Sequence, residues 1–321
     1  MKMATKICLI IAASLILVGG LTFVFAMSLV KWDFTRLETT EYCTKEYGVE
    51  EAYTGISIQT DTADIRLVPS EDGSTRVVCV EETRATHRVE VREGTLYVEL
   101  KDERQWYDFI GIGLDKAAIT VYLPAGDYGA LTVRSSTGDV QIPEDFAFET
   151  MGVAVSTADV TVAASTTGAM NLWATTGDFH LKDLSADSLC LRVSTGDIDA
   201  TGVTVAGDAE VGVTTGDVKL TDLSCGSLTS TGGTGDLILK NVVAAGNMWI
   251  RRSTGDLRLD GCDAAELFLK VTTGDVSGTL LTDKVFVVSS STGDVDVPAS
   301  ATGGRCEITT TTGDIRITIG K

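Results

Sequence analysis

The chain has 321 residues, a formal net charge of −19 and 44% hydrophobic residues. Thirty-three glycines beside only four prolines do not fit a collagen-like protein, and the hydrophobic content excludes a disordered one. The acidic surface expected from this charge repels nucleic acid, so no nucleic-acid partner is predicted; it would attract cations or basic protein patches, or simply keep the protein soluble.

The first predicted element is an apolar segment. An uncharged run extends from Ile7 to Val30 and is long enough to cross a hydrocarbon core of roughly 30 Å as a helix. A cleaved signal peptide is the alternative, since Val24-Phe25-Ala26 places small residues near a cleavage position, but the run is longer than a typical signal. We interpret residues 1–31 as a cytoplasmic tail and a transmembrane helix of a single-pass membrane protein whose C-terminal domain is extracytoplasmic.

The next two segments lead into the main domain. Residues 32–53 are interpreted as a juxtamembrane linker, and residues 54–130 as a first coil with inserted strands and a hairpin. Within the insertion, Arg76–Glu81 predicts a strand and Val89–Leu100 predicts a hairpin that turns at Glu93-Gly94.

An aromatic cluster follows the hairpin. It either covers the open end of the first coils or forms an exposed patch for a partner or the membrane surface. This candidate partner patch consists of Trp106, Tyr107, Phe109 and Ile110.

Residues 131–321 contain an internal repeat, the signature of a repeat architecture. The tripeptide Thr-Gly-Asp, or Thr-Ala-Asp, recurs every 19 or 20 residues from Asp139 onward. We refer to these tripeptides as the corners, and we predict that they are structural sites of the repeat. They include Thr137, Gly138, Asp139, Thr195, Gly196, Asp197, Thr215, Gly216, Asp217, Thr254, Gly255, Asp256, Thr273, Gly274, Asp275, Thr292, Gly293 and Asp294.

Apolar residues flank each corner with a period of two. The residue after the aspartate is apolar, as in Ile198, and the sixth and eighth residues before it are usually apolar, as in Leu191 and Leu189. Each repeat therefore predicts two short strands that meet at the corner and point one face inward. Such strands bury that face only by stacking coil on coil. The predicted fold is all-β, a parallel β-solenoid (β-helix-like) with about 19–20 residues per coil, preceded by one N-terminal transmembrane helix.

Glycine is expected at the corners because a tight turn commonly needs positive φ. Ala63 and Ala158 replace it at two corners, so either these corners are not left-handed or they are strained. At the far end the chain stops at Lys321, directly after its last strand, which predicts an uncapped open edge there.

The corner aspartates need an interaction that offsets their repulsion. At a spacing of about 4.8 Å, neighbouring carboxylates repel by roughly 0.9 kcal/mol even in water. Either each carboxylate accepts backbone N–H groups of its own turn, or divalent cations such as Ca²⁺ lie along the row. Because one carboxylate per coil is a sparse ligand supply for Ca²⁺, we favour the turn and predict no metal site.

The sequence offers little for catalysis. Its two histidines, His87 and His180, are expected at solvated strand positions, and no nucleophile-elbow, zinc-protease, phosphate-loop or dinucleotide motif is present. We predict no catalytic residues and no cofactor.

The repeated Ser/Thr-Thr-Gly-Asp-apolar corner, the strand Ile119–Pro124 before the stack and the N-terminal apolar segment together resemble the bacterial domain-of-unknown-function family DUF4097, of adhesin-like β-strand repeat proteins. The resemblance covers about residues 50–321 and carries no agreed catalytic residues. It implies a location in the bacterial cell envelope and roles in adhesion or envelope stress.

Two functions remain open from the sequence. The first is a noncatalytic, membrane-anchored binding or scaffolding protein with an envelope protein or a glycan as its partner. The second is a carbohydrate-active β-helix enzyme, such as a polysaccharide lyase or hydrolase. An enzyme should interrupt its repeat with a local cluster of carboxylates or basic residues in a groove. The acidic residues instead recur uniformly, which favours the first function.

Overall fold

A computed structural model describes residues 3–29, 31–32, 42–105 and 116–320. Its first element is helix α1 (Met3–Leu29). The stretch Thr5–Leu29 is long and apolar enough to cross a membrane, with a mean hydropathy of 2.7. The predicted N-terminal apolar helix is therefore present.

Thirty strands in the described part of the chain form one continuous hydrogen-bonded sheet. The first seven are β1 (Tyr42–Val49), β2 (Gly55–Gln59), β3 (Asp64–Pro69), β4 (Thr75–Glu82), β5 (Ala85–Arg92), β6 (Thr95–Asp102) and β7 (Ala118–Leu123). The others are β8 (Gly126–Thr137), β9 (Val140–Ile142), β10 (Phe146–Thr157), β11 (Val160–Val162), β12 (Ser165–Thr166), β13 (Ala169–Thr176), β14 (Phe179–Lys182), β15 (Ser185–Ala186), β16 (Ser188–Thr195), β17 (Ile198–Thr201), β18 (Thr204–Val205), β19 (Asp208–Thr215), β20 (Val218–Thr221), β21 (Ser224–Cys225), β22 (Ser227–Thr234), β23 (Leu237–Lys240), β24 (Val243–Thr254), β25 (Leu257–Thr273), β26 (Val276–Leu280), β27 (Lys284–Thr292), β28 (Val295–Asp296), β29 (Gly304–Thr312) and β30 (Ile315–Ile319).

The strands stack as a parallel β-solenoid, as predicted. The strands before successive corners pair in parallel and in register, so that Leu172 lies opposite Leu191 and Leu191 lies opposite Val211. All three side chains are buried. Stacking therefore produces inward columns of apolar side chains that form one continuous core.

Each regular coil has three sides, where the sequence predicted two strands. Between the strand after one corner and the strand before the next lies a third, two-residue strand, for example β18, which pairs with β15 on one side and β21 on the other. Val203 and Val205 point inward from this side and are buried. The side is too short to show a period of two in the sequence, so it was missed.

The N-terminal end of the stack is covered by antiparallel strands. β6 and β7 form a coil in front of β2 and β3; β4 then pairs antiparallel with β7, β1 with β4, and β5 with β6. The predicted strand and hairpin correspond to β4 and to β5–β6, and Glu93 and Gly94 at the hairpin turn have φ of +51° and +73°. Tyr42–Val49, within the segment interpreted as a linker, forms β1.

At the C-terminal end the spatial order of the coils differs from their order in the chain. β29 pairs with β25 on one side and with β27 on the other, and β30 lies between β26 and β28 in the same way. The last coil of the sequence is thus inserted between two earlier ones. The prediction that the last strand forms the open edge is wrong, because β27 and β28 occupy that edge.

Residues at the crossing explain how the chain returns between two coils. A Cβ at Gly304 would lie 1.8 Å from the carbonyl oxygen of Ala265, so only glycine allows the backbones to approach this closely. The buried Lys284 donates to the carbonyl oxygen of Ala264 at 2.7 Å and pairs with Asp263 at 2.7 Å. These contacts of Lys284 connect the coil of β27 to the coil of β25, with the coil of β29 between them.

The two alanine corners are not left-handed. Most corner glycines have positive φ, such as +142° at Gly216, whereas neither Ala63 nor Ala158 does. The first of the two alternatives drawn from the sequence is therefore correct. Ala158 keeps the coil-to-coil bond of a corner, from its N–H to the carbonyl oxygen of Thr176.

Candidate functional site

The corner residues line up along one edge of the solenoid. The corner threonines occupy matching positions in neighbouring strands, as in Thr195 opposite Thr215. The backbone N–H of Asp217 donates to Oδ1 of Asp197 at 2.7 Å, and the N–H of Asp236 donates to Oδ1 of Asp217 at 2.7 Å. The same bond links the other successive corner aspartates through the stack, including Asp64 and Asp139 and, at the far end, Asp314 and Asp294.

This ladder corrects the expected role of the carboxylates. They accept N–H groups of the neighbouring coil, not of their own turn. The backbone carbonyl of each corner aspartate accepts the N–H of the residue that follows the corner in the adjacent coil, as the carbonyl of Asp217 accepts the N–H of Ile198. Because these carbonyls are occupied, the N–H of a corner aspartate bonds to a side-chain oxygen instead. The charge-assisted bond offsets the repulsion between stacked carboxylates.

The predicted aromatic patch of Trp106, Tyr107, Phe109 and Ile110 lies outside the described residues. The most distinctive surface of the described chain lies elsewhere. It is formed by the fifth and seventh residues before each corner aspartate, which point outward from the strands that precede the corners.

We call the depression on this face the outer groove. Its main part has a volume of about 630 Å³, and a second part of about 540 Å³ adjoins it, with Thr231 and Arg251 lining both. The main part is lined by Trp173, Arg192, Glu210, Gly212, Thr231 and Arg251, among others. The second part includes Trp249, Phe268 and Lys270.

Exposed tryptophans line both parts of the groove, Trp173 the main part and Trp249 the second part. Trp173 is 53% exposed and Trp249 is 49% exposed. The Trp249 ring stacks on Phe268 with ring centroids 3.9 Å apart and an interplanar angle of 11°, which holds the indole in one orientation. Because four coils separate the two tryptophans, they stand roughly 19 Å apart along the stack.

Basic side chains give the groove a charge opposite to that of the whole protein. Arg192 pairs with Glu210 at 2.7 Å. The side chains of Arg251 and Lys270, both exposed, make no ion pair or hydrogen bond with any residue that the structure describes. Their cationic groups are thus available to an anionic ligand, and an exposed guanidinium can form two parallel hydrogen bonds with a carboxylate or phosphate.

The floor of the groove is thin because glycines form it. Gly212, Gly232 and Gly233 carry no side chains there, and the buried Arg252 lies directly beneath, with Nη1 1.7 Å from where a Cβ of Gly232 would be. Arg252 donates to Ser230 Oγ at 3.2 Å, while its Nε and Nη1 have no partner. Burial lowers the pKa of Arg252 to about 10.

Sequence reasoning missed this groove. The inward columns are periodic and therefore identify the core, whereas the outward columns carry Trp173, Trp249 and Arg251 at irregular intervals. The available signal was the interruption of an inward column, where Gly232 and then Arg252 replace the valines found at Val193 and Val213.

A second polar cluster is buried near the N-terminal end. Cys79, Glu81 and His87 bring potential metal-ligand atoms within 4.8 Å of one another. His87 Nδ1 lies 3.0 Å from Glu81 Oε2 and its Nε2 lies 3.1 Å from Thr60 Oγ1, while Lys45 Nζ pairs with Glu81 Oε1 at 2.6 Å. Both ring nitrogens and the carboxylate are therefore engaged by protein groups, so these residues fit a closed polar network better than a metal site.

The two histidines differ in environment. His180 is exposed, as expected, but the expectation for His87 is wrong because its side chain is buried in the network just described. Burial lowers the pKa of His87, although the neighbouring Glu81 carboxylate opposes the shift.

Comparisons with known proteins give one family. The model of the Toastrack DUF4097 family matches residues 53–222 and 208–321, which together are more than half of the chain. No curated protein matches the sequence.

Comparison with solved structures finds several bacterial proteins of low sequence identity. One is a "putative adhesin" from Bacteroides fragilis, with 16% identity, a TM-score of 0.43 and coverage of 87% of this chain and 97% of that one. Another is a "putative lipid binding protein" from Parabacteroides distasonis, with 15% identity, a TM-score of 0.48 and coverage of 88% and 98%. A "putative adhesin" from the same species has 15% identity, a TM-score of 0.45 and coverage of 87% and 98%.

Proposed function

Because the chain belongs to the Toastrack DUF4097 family, we propose that it is a noncatalytic, membrane-anchored binding protein of the bacterial cell envelope, with α1 as its anchor and the solenoid outside the cytoplasm. The outer groove is its binding surface, and the ligand is an acidic glycan. An envelope-stress role would follow if ligand binding reports on the state of the envelope.

The observation that carries this proposal is the outer groove itself. Exposed Trp173 and Trp249 lie on either side of a glycine floor, and Arg251, whose side chain is unpaired, is two residues after Trp249 on the same face. Large aromatic side chains exposed at the rim of a concave surface are typical of ligand sites. A flat indole face complements the apolar face of a sugar ring, and the guanidinium recognises a carboxylate on it.

The groove also suits an extended ligand. Its two parts adjoin along the stack, so a linear polymer can contact several coils at once. The net charge of −19 opposes an acidic ligand at long range, but this repulsion is screened beyond about 8 Å at physiological ionic strength. At contact distance the three local cations, Arg192, Arg251 and Lys270, outnumber the two carboxylates that line the groove, Glu210 and Glu307.

The basic cluster also favours a second candidate, an enzyme acting on acidic polysaccharide, because a groove with clustered basic residues was the feature expected of one. Glycoside hydrolysis needs two facing carboxylates, whereas Glu210 in the main part is ion-paired with Arg192 and Glu307 in the second part is ion-paired with Arg305. Binding without turnover is therefore the function that the groove supports best.

The proposal is tested by titrating the full chain, in detergent, with an oligogalacturonide and with its methyl-esterified form. The two ligands share a sugar backbone, and only the first carries carboxylates. Calorimetry should detect binding of the acidic form and much weaker binding of the ester. Trp173→Ala and Arg251→Ala should each weaken binding about tenfold or more, since each removes roughly 1.4 kcal/mol or more.

Arg134→Ala is the matched control. Arg134 occupies the same outward column as Trp173 and Arg251 and is also exposed, but it does not line the groove. Its replacement should leave the affinity unchanged. Equal affinity for the two ligand forms, or equal loss in all three variants, would contradict the proposed site, and shortening of the oligomer during the titration would establish the enzyme instead.

A further inference from the structure

One end of the solenoid is an open sheet edge. β27 pairs with β29 and β28 pairs with β30, and no strand in the described part of the chain lies on their other side. Half of the backbone N–H and C=O groups of β27 therefore point away from the stack. An edge strand of nine residues with one open side is a template for pairing with another chain.

The side chains of this edge are unusually apolar for a surface. Val285, Val287 and Val295 are 38%, 48% and 44% exposed, and the inward-pointing Phe286 and Val288 are only partly buried. No charged residue occurs between Lys284 and Asp294, and Lys284 itself turns inward to Asp263. Natural edges are commonly blunted by charges or proline, whereas β27 has no proline and no charge after its first residue, Lys284.

The opposite end of the solenoid is covered by further strands. β1, β4 and β5 pair antiparallel with the strands there and cover the first coil. β1 pairs only with β4 in the described part of the chain, but Lys45 and Glu46 blunt that edge, so the apolar β27 edge is better matched by the same edge of another molecule than by β1. An association between two identical surfaces has a two-fold axis and stops at two.

We propose that two copies of this chain associate end to end, with their β27 strands paired antiparallel across a two-fold axis. Antiparallel pairing keeps the outward Val285 and Val287 on one continuous face and places Phe286 and Val288 of both copies against each other inside it. The cores of the two solenoids then continue through the contact, and both backbone edges gain partners.

Shape and charge favour a second copy over an unrelated peptide. A single added strand would pair with β27 but leave the end of the core, with Phe286, Val288 and Val297, facing water. Another solenoid end has the matching cross-section and covers all three. Copies with a net charge of −19 repel elsewhere, so the uncharged stretch of β27 from Val285 to Thr292 is the surface on which two of them can meet.

The test measures the mass of the full chain in detergent by size-exclusion chromatography with light scattering. The parent should have twice the 33.9 kDa chain mass, and its dimer fraction should rise with salt as the repulsion between copies is screened. Val287→Lys should be monomeric, because the two-fold axis brings both new charges into the contact. Asn171→Lys, in the same outward column but in the middle of the stack, should remain dimeric.

Hydrogen exchange gives a second readout that also separates this contact from association through α1. Amides of β27 that face the open edge should exchange slowly in the parent and quickly in Val287→Lys, while exchange in β19 and β22 stays unchanged in both. A monomeric parent, or a Val287→Lys chain that is still dimeric with fast β27 exchange, would overturn the proposal. The glycan titration does not depend on the outcome.

Discussion

Replacing Gly216 with alanine tests the corner geometry that allows coils to stack. Gly216 has φ of +142°, and a Cβ there would lie 2.0 Å from the carbonyl oxygen of Gly196 in the neighbouring coil. Since that oxygen belongs to the backbone, it cannot rotate away as a side chain would. The two coils must separate at this corner, or the backbone must change its conformation.

The magnitude follows from the contacts that the separation would weaken. These are the bond from Asp217 N–H to Asp197 Oδ1 at 2.7 Å and the bond from Gly196 N–H to the carbonyl oxygen of Thr215 at 3.0 Å. The strained φ costs about 1–3 kcal/mol and each bond about 0.5–1.5 kcal/mol, so the expected loss of stability is about 2–6 kcal/mol.

Hydrogen exchange of the full chain in detergent is the suitable assay, because each coil of a solenoid contacts only its neighbours and the damage should be local. Exchange should accelerate in β16, β19 and β22 and remain unchanged in β10. Gly152→Ala is the control, since its φ is not positive and no atom lies within 4 Å of the added Cβ. Equal exchange in the two variants would refute the close-contact argument.

Three further predictions concern single polar side chains. Asp217→Asn should be nearly neutral because its Oδ1 still accepts the N–H of the next coil, whereas Asp217→Ala should cost about 1–3 kcal/mol; urea titration distinguishes them, and equal losses would mean that charge matters more than the bond. Burial places the folded-state pKa of His87 below its usual value of about 6.5, so protonation favours unfolding. Stability is complete above about pH 6.5 and is lost as the pH falls below that value, by at most about 1.4 kcal/mol per pH unit. His87→Gln should remove this part of the pH dependence, and His180→Gln should not. Arg252→Met should raise stability by about 1–4 kcal/mol, since it removes a poorly partnered buried charge; a lower thermal midpoint in the variant would contradict that reasoning.

The period of the corners was sufficient to predict the fold. Because Asp197, Asp217 and Asp236 recur with apolar neighbours at fixed offsets, stacking was the one arrangement that could bury those neighbours. The same period could not reveal the partner of the carboxylates. An aspartate whose carboxylate accepts an N–H from a residue 20 positions away has the same local sequence as one that caps its own turn.

The order of the last coils was also hidden from the sequence. The steps from Asp275 to Asp294 and from Asp294 to Asp314 are ordinary repeats, so nothing in the spacing indicates that β29 lies between β25 and β27. Only Gly303-Gly304 and Lys284 mark the crossing, and their meaning depends on backbone approaches that become visible in three dimensions.

The candidate site was the least predictable part. Trp173 and Arg251 are 78 residues apart in the sequence. They line the same groove because stacking places them on one face of the solenoid, four coils apart. The outward columns carry no periodic constraint from the core, so the fold does not determine their composition.

Oxidative footprinting of the tryptophans tests the proposed binding role most directly. The full chain in detergent would be exposed to hydroxyl radicals with and without the oligogalacturonide, and oxidation would be located by peptide mass spectrometry. Trp173 and Trp249 should be protected by the acidic oligomer and not by its methyl ester, while the 53% exposed Trp32 is oxidised equally in every sample. Unchanged oxidation of Trp173 and Trp249 at saturating ligand would contradict the assignment of the outer groove as the binding surface.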